Sequence, residues 1–416
     1  MSIRSGWLRC VAVLWSLVFL LSCGGGSSSK SAFVYLVSQG TAPGTVSAYS
    51  MSLSKGTLSS TNGALTPVGK SANAGTQPKT LLFDPTQTFA FTANFGSDDI
   101  STFTVNKDGS LAAASATTSV SSASTKATRP VALAMDPGAH FLFVANEGAL
   151  NSNTDPTQNI PGNVSVFSIG SGGALAQVTG SPFPLQETSP PLAFAPVQPL
   201  PVGLAVSNQG NFLYVADQAN GAVVVFSFDS TTGALTPISG TCAAPGPCLG
   251  VPVGSAPSAV FSPPAGNFLY VANAGSNDIY EFTINTDGSL TPITTTGTTT
   301  PVIAPTGEGP IAMLSDPAAK YLFVLANQGN QVSGYFINHV TGVLSPVAAN
   351  GTASTGLGPV ALAIRSAGGT NGNFWLFTSN SGGNTVSTFS LVYATGVLNP
   401  LPQLTAPLAP SGIAAR

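Results

Sequence analysis

The stretch FLYVANAGSNDIYEFTINTDGSLTPI, residues 268–293, decides the fold, because close versions of it recur along the chain. It holds runs rich in β-branched and aromatic residues, separated by turns of Gly, Ser, Asn and Asp, which is typical of short strands. An apolar segment that starts with proline comes before each copy. The fullest copies read PVALAMDPGAHFLFV (130–144), PVGLAVSNQGNFLYV (201–215) and PSAVFSPPAGNFLYV (257–271), and looser ones begin at Pro78, Pro310 and Pro359.

The period of this repeat predicts a propeller. A landmark at the end of the second strand returns every 52 to 71 residues, at Ser38, Asn94, Asn146, Asp217, Asn273, Asn327 and Asn380. Spacings of this size are typical of propeller blades. Each unit predicts four antiparallel strands, A to D, and such a sheet can bury both faces only by stacking radially against similar neighbours. We therefore expect an all-β, seven-bladed β-propeller of four-stranded antiparallel blades, with six or eight blades as the alternatives.

The two ends of the repeat region are complementary. The first copy starts at strand B, Phe33 to Val37, and has no strand A. The chain ends in Pro410 to Ala414, which matches strand A and has no strand B after it. We therefore expect the ring to be closed by pairing of the N- and C-terminal strands.

The N-terminus predicts export. Arg4 and Arg9 precede an apolar run too short to span a bilayer, so residues 1–22 are predicted to be a signal peptide. Its end, Leu-Leu-Ser-Cys, resembles the lipobox of bacterial lipoproteins, which implies lipidation of Cys23 and anchoring to a membrane of the bacterial cell envelope. Residues 23–31 are then a Gly/Ser tether, and residues 32–416 one propeller domain.

Composition excludes several kinds of partner and site. Only 6% of the residues are charged. Without the signal peptide the chain has ten basic and fifteen acidic residues, so we expect no nucleic-acid binding. Cys242 and Cys248 close a short loop in an exported protein, which favours a disulfide. Neither histidine is near them, so no metal site is expected, and no motif indicates a cofactor. We expect a monomer.

The segments FLFVANEG, FLYVADQANG and FLYVANAGSND resemble the lactonase-like seven-bladed propellers, among them 6-phosphogluconolactonase and proteins with YVTN repeats. The resemblance implies lactone hydrolysis, with a Pro-His-Ala-His segment where strand A enters the central funnel. Here the residue after that proline is never histidine; it is Lys79, Val131, Val202, Ser258, Ile311, Val360 or Ser411. His140 and His339 lie in turns on the opposite face.

The long insertions all lie on the face that carries the B–C turns and the D–A crossings, residues 147–163, 180–200, 240–254 and 294–309. Loops that elaborate one rim of a rigid scaffold commonly bind ligands. The candidate ligand contacts on this face are Lys79, Arg129, Glu147, Glu187, Asp217 and Glu308.

Two functions fit these features. The first is a binding or scaffold module that presents its loop-rich face to a protein, glycan or small molecule; the alternative is a lactone hydrolase with a non-standard active site. Convergent Arg and Glu side chains in the funnel would favour the enzyme. A funnel lined by Val131, Val202, Ile311 and Val360 would favour the binding module.

Overall fold

A computed structural model describes residues 32–40, 42–112, 117–123, 126–149, 160–185, 198–238, 250–294, 300–347, 351–366 and 374–416. The described residues belong to one compact unit, Ser31–Arg416. The predicted signal peptide, the tether with Cys23, Glu187 and both Cys242 and Cys248 lie outside them. None of the described residues forms a helix long and apolar enough to cross a membrane.

Strands make up nearly all of the regular structure, and the one helix among the described residues is a 3-10 turn, Ser171–Gly173. Strands are numbered in chain order. Those at the predicted A position are β6 (Pro78–Phe83), β10 (Pro130–Met135), β15 (Pro201–Val206), β20 (Pro257–Phe261), β25 (Pro310–Ser315), β30 (Pro359–Ser366) and β35 (Pro410–Ala415). Those at the B position are β1 (Ala32–Ser38), β7 (Phe89–Asn94), β11 (Phe141–Asn146), β16 (Phe212–Asp217), β21 (Phe268–Asn273), β26 (Tyr321–Ala326) and β31 (Phe374–Asn380).

Strands at the C position are β2 (Thr45–Met51), β8 (Asp99–Thr104), β12 (Asn163–Ile169), β17 (Ala222–Phe228), β22 (Asp278–Ile284), β27 (Gln331–Ile337) and β32 (Thr385–Val392). Those at the D position are β5 (Ala72–Asn73), β9 (Thr117–Ser119), β13 (Leu175–Gln177), β14 (Phe183–Pro184), β18 (Leu235–Pro237), β19 (Val251–Pro252), β23 (Leu290–Pro292), β24 (Ile303–Pro305), β28 (Leu344–Pro346), β29 (Thr352–Ser354), β33 (Val397–Pro400) and β34 (Leu404–Thr405). The remaining two are β3 (Ser60–Thr61) and β4 (Ala64–Leu65).

The described strands form seven sheets, each with A, B and C strands in antiparallel order. The outer position departs from the prediction of a single D strand, because in five sheets two short strands share it. In the fourth sheet, for example, β18 pairs with the end of β17 and β19 with its beginning. Proline ends the first of these pieces at Pro237, and proline has no N–H with which to continue a ladder, so it is tolerated at such an edge.

The two ends of the repeat region meet in one sheet. β35 pairs with β1 in antiparallel register, with Ile413 opposite Leu36. The β3–β4 hairpin, which lies in the segment after β2, pairs with β34 of the last sheet through Ala64 and Thr405. The first and last parts of the chain are therefore paired along both an inner and an outer strand.

The core lies between sheets. Among the described residues there are seven apolar clusters, each combining side chains of two sheets that follow one another, and one joins the last sheet to the first. In that one, Val34 and Phe377 are both fully buried. Full burial of one such side chain contributes about 1.5 to 3 kcal/mol, so each sheet depends on both of its neighbours.

The start of each A strand has the same backbone geometry. The proline pairs with the last residue of strand B, the next residue is left unpaired in a β-bulge, and pairing then resumes, as at Pro78 opposite Asn94 and Thr80 opposite Ala93. The register also corrects one predicted landmark. Pro310 pairs with Ala326, so Asn327 lies one residue beyond the position that Asn94 occupies in its own sheet.

Candidate functional site

Three recurring positions surround the starts of the A strands, and together they form what we call the mouth. They are the residue before the proline, the bulged residue after it, and the first residue after strand B. Main-chain hydrogen bonds tie them together: the Phe95 amide donates to Gln77 O (3.1 Å), and the Glu147 amide to Arg129 O (3.0 Å). Side chains at these positions are therefore held near one another by the backbone.

Arg129 occupies the position before the proline of β10, in the left-handed conformation with φ 58°. Its amide donates to Asp98 Oδ1 of the preceding sheet at 2.7 Å. The same conformation recurs before other A strands, at Gln77, Ala256 and Ala409. The main chain therefore fixes the point from which the exposed arginine side chain extends.

Two cationic side chains share one aromatic ring. Lys79, the bulged residue of β6, places Nζ 4.8 Å from the centre of the Phe95 ring. The guanidinium carbon of Arg129 lies 5.6 Å from the same ring centre. Each contact of this kind contributes about 0.5 to 1 kcal/mol at an exposed site, so the ring holds two like charges close together.

Glu147 completes the cluster. Its side chain is half-buried, and burial raises the pKa of its carboxyl group, while the charges of Lys79 and Arg129 act in the opposite direction. Glu147 has no ion pair within 4 Å. Among the described residues, the single ion pair joins His140 and Asp136. The arrangement thus offers two cations, an apolar ring and a carboxyl group that gains a proton more readily than usual.

The structure brings three of the six predicted contacts together, Lys79, Arg129 and Glu147. Asp217 is not part of this cluster and is only 1% exposed. Its carboxylate accepts hydrogen bonds from the Leu200 amide (2.9 Å) and the Asn220 side-chain amide (2.6 Å). Glu308 is exposed, and its main chain accepts the Gly329 amide. Glu187 lies outside the described residues.

Sequence reasoning missed Phe95. It is the first residue after β7, the position that Glu147 has in the next sheet, and comparing the copies at this position would have revealed it.

The rest of the mouth is less polar. Val131, Val202, Ile311 and Val360 are half-buried at the bulged position. The serines there use their hydroxyl groups within the fold: Ser258 Oγ donates to Pro310 O and Ser411 Oγ to Pro78 O, both at 2.5 Å. No cluster of three or more potential metal ligands exists among the described residues.

The histidines lie as predicted, away from this site. His140 is in the turn between β10 and β11, with its side chain 70% exposed and Nδ1 3.2 Å from Asp136 Oδ2. His339 is exposed in the turn between β27 and β28. Both turns join ends of strands opposite the mouth.

Comparison with known proteins shows the family. A model described as "Lactonase, 7-bladed beta-propeller" matches residues 27–149, 193–251 and 205–358, which is more than half of the chain. The chain belongs to this lactonase family. The resemblance seen in the repeats is thereby confirmed, as is the all-β propeller fold. No curated protein matches the chain.

Solved structures agree with the lactonase propeller fold. A putative 6-phosphogluconolactonase from Bacteroides fragilis has a TM-score of 0.68 and 17% identity, with 94% of this chain and 100% of that one covered. The periplasmic gluconolactonase of Pseudomonas aeruginosa also has a TM-score of 0.68 and 17% identity, with 92% and 99% covered. A putative 6-phosphogluconolactonase from Bacteroides uniformis reaches 0.67 at 16% identity, with 93% and 100% covered. At these identities the likeness concerns the fold alone.

Proposed function

We propose that this lactonase propeller is a binding module whose mouth takes a small carboxylate-bearing ligand. The observation that carries this proposal is the pair of cations, Lys79 and Arg129, over the single ring of Phe95. A carboxylate accepts charge-assisted hydrogen bonds from both cations, and an arginine fork adds directional specificity. Phe95 offers an apolar surface to the carbon skeleton of the ligand.

Glu147 adjusts this affinity with pH. When protonated, its carboxyl group can donate a hydrogen bond to the bound anion; when ionised, it repels it. Because burial raises the pKa of Glu147, the protonated form persists to higher pH than in an exposed glutamate. Affinity for an anion is therefore expected to fall as pH rises through the pKa of Glu147.

Calorimetric titration with sugar acids such as gluconate tests this proposal. Lys79→Gln and Arg129→Gln should each weaken binding about tenfold, and Glu147→Gln should flatten its pH dependence. Lys55→Gln, an exposed lysine elsewhere, is the matched control. Gln at residue 129 suits the left-handed backbone, since Gln77 already occupies the equivalent position. Binding of equal strength in all four variants would refute the site.

Lactone hydrolysis is the second candidate, and the convergence of Glu147 with Lys79 and Arg129 favours it. Glu147 would take a proton from water while the oxygen attacks the lactone carbonyl carbon. The ring C–O bond then breaks, and the proton passes to the departing alkoxide to give the hydroxy acid. The two cations would stabilise the oxyanion that forms at the carbonyl.

A pH-indicator assay over a panel of sugar lactones separates the two candidates. As a binding module, the protein should hydrolyse them no faster than buffer. Turnover that is lost in Glu147→Gln while gluconate binding persists would establish the enzyme instead. His140→Ala combined with His339→Ala should change neither measurement, and should alter stability by less than about 0.5 kcal/mol.

The seven sheets are proposed to form one ring of seven blades, closed where β35 joins β1. Support comes from that pairing and from the cluster between the last and first sheets. A closed ring of blades leaves only short, protected strand edges.

The propeller is further proposed to be exported and anchored by lipid at Cys23, with a disulfide between Cys242 and Cys248. Acyl chains supply about 0.8 kcal/mol of membrane affinity per buried methylene. Cys23→Ser should therefore release the exported protein from membrane fractions. Membrane association that survives this change would exclude the lipid anchor.

A further inference from the structure

The amide of Arg129 is held by a contact that recurs between successive sheets. In the turn between strands B and C, a side-chain oxygen accepts the amide of the residue that precedes strand A of the next sheet. Four such hydrogen bonds, each 2.7 Å long, join Asp98 to Arg129, Asn277 to Gly309, Asn330 to Gly358 and Asn384 to Ala409. The four acceptor residues are all left-handed, with φ between 49° and 58°. We call this contact the amide clamp.

The turn that carries the clamp does not need it in order to form. Besides its side-chain contact, Asp98 accepts the Val120 amide at its main-chain oxygen (3.1 Å). In the fourth sheet Gly221 takes the place of Asp98, with φ 60°, and its main-chain oxygen accepts the Val253 amide (3.0 Å). The same turn is therefore built around a residue without a side chain. What the side chain of Asp98 adds is its hold on the amide of the next sheet.

The clamp at Arg129 differs from the others in both partners. Gly309 and Gly358 adopt the left-handed conformation freely, whereas a residue with a Cβ is strained there and keeps it only where its surroundings impose it. The acceptor also differs, because Asp98 offers a carboxylate and the other three clamps use the side-chain amide oxygen of asparagine. A carboxylate accepts the stronger hydrogen bond. The strongest acceptor thus holds the strained residue that carries a cation of the mouth.

One turn supplies both the clamp and the aromatic ring. Asp98 and Phe95 lie in the turn between β7 and β8, and the Phe95 amide is itself bonded to Gln77 O (3.1 Å). Arg129 comes from the next sheet, and its guanidinium carbon lies 5.6 Å from the centre of the Phe95 ring. The turn therefore contacts Arg129 at both ends, at the main-chain amide and at the guanidinium group.

We propose that Asp98 is a positioning residue for Arg129: it fixes the main chain from which the guanidinium group reaches Phe95 and a bound carboxylate. This inference rests on the anion-binding function proposed for the mouth. Without the clamp, residue 129 can leave the left-handed conformation, and its guanidinium group loses its alignment with Lys79. Asparagine should replace Asp98 in this role, because asparagine makes the same contact in the fifth, sixth and last sheets.

Calorimetric titration of the full chain with gluconate tests the role of Asp98. Asp98→Gly removes the acceptor and suits the left-handed turn, and it should weaken binding at least about fivefold, whereas Asp98→Asn should stay within about twofold of the wild type. Asn277→Gly is the matched control, since it removes the same contact between the fifth and sixth sheets. It should lower Tm to a similar extent as Asp98→Gly and leave the affinity for gluconate unchanged.

A double-mutant cycle separates positioning from a general effect on the fold. In the Arg129→Gln background no guanidinium group remains to be positioned, so Asp98→Gly should cause no further loss of gluconate affinity. A loss of the same size in both backgrounds would overturn the proposal. So would an equal loss of affinity in Asp98→Gly and Asn277→Gly.

A second measurement needs no ligand. Burial raises the pKa of Glu147, and the charge of Arg129 acts against this rise. Release of the guanidinium group in Asp98→Gly should therefore give Glu147 a higher pKa than in Asp98→Asn, which also lacks the charge of Asp98. NMR titration of the carboxyl carbon measures both values, and equal values would overturn the proposal. Failure of gluconate to bind the wild type would refute the function of the mouth, and this comparison would still decide the role of Asp98.

Discussion

At the scale of single residues, the most unusual group is Glu281 in β22. It is 1% exposed, its Oε2 accepts the Leu344 amide at 3.2 Å, and its Oε1 has no partner. Burial raises its pKa to about 7, and the hydrogen bond from Leu344 opposes this only in part. Glu281 is therefore largely protonated in the folded protein at mildly acidic pH.

This shift predicts a pH-dependent stability. Well below pH 4.5, Glu281 is protonated in both the folded and the unfolded chain, so it does not make stability depend on pH. Between about pH 4.5 and 7 the unfolded chain loses this proton and the folded chain keeps it, so stability falls as pH rises. The full loss is about 3 kcal/mol. Glu281→Gln removes this loss. The free energy of unfolding of the variant, relative to that of the wild type, should therefore rise by that amount between pH 4.5 and pH 8.

Urea denaturation at the two pH values measures the effect of Glu281→Gln. Glu308→Gln changes an exposed glutamate and serves as the control. Its free energy of unfolding should differ from that of the wild type by the same amount at both pH values. A gap between Glu281→Gln and wild type that stays constant with pH would contradict a raised pKa.

At the scale of elements, the hairpin between strands B and C is held by buried asparagines. Asn94 and Asn380 each donate hydrogen bonds within their own hairpin. Asn94 Nδ2 donates to Asp99 Oδ1 (2.7 Å) and Ser101 Oγ (2.9 Å) of β8. Asn380 makes the same pattern with Thr385 and Ser387. They join two strands rather than lining a site.

Replacing Asn94 with alanine should cost about 1 to 3 kcal/mol, because it leaves buried partners without their donor. Thermal or urea unfolding measures this cost. Asn73→Ala, at an exposed position in β5, should cost less than about 0.5 kcal/mol. Equal effects of the two changes would show that the buried contacts of Asn94 do not stabilise the hairpin.

At the scale of the whole molecule, the joining of the two chain ends matters most. β35 supplies the A strand of the first sheet, and Trp375 of the last sheet donates from Nε1 to Leu53 O at 3.3 Å. Gly56 lies against the same indole, where an added Cβ would come within 2.2 Å of a ring carbon. The last and first sheets are therefore in direct contact around Trp375.

Deleting residues 408–416 should lower Tm by more than about 5 °C, because β1 loses its partner strand and Ile413 leaves the core. Differential scanning calorimetry provides the measurement. Leu408→Ser changes a residue that is 64% exposed just before β35, and it should have little effect. A truncated protein that melts within a degree or two of the full chain would argue against a ring closed by both ends.

Much of this architecture was predictable because it is encoded locally and repeated. Alternating apolar residues, turn residues and the proline that begins each A strand determined the strands and their order. The face carrying the long loops followed from strand direction, which placed Lys79, Arg129 and Glu147 on one side. The split outer strands were harder to foresee; in four of the five sheets the first piece ends at a proline, and in the fifth β13 ends at Gln177.

Only the tertiary structure decided which charges meet. Lys79 and Phe95 come from one sheet and Arg129 and Glu147 from the next, and their proximity depends on the stacking of the two sheets. In the sequence, Asp217 looked equivalent to the other candidate ligand contacts. In the structure its carboxylate accepts hydrogen bonds from Leu200 and Asn220. Local pattern determines strands, whereas burial and side-chain partners depend on contacts between distant residues.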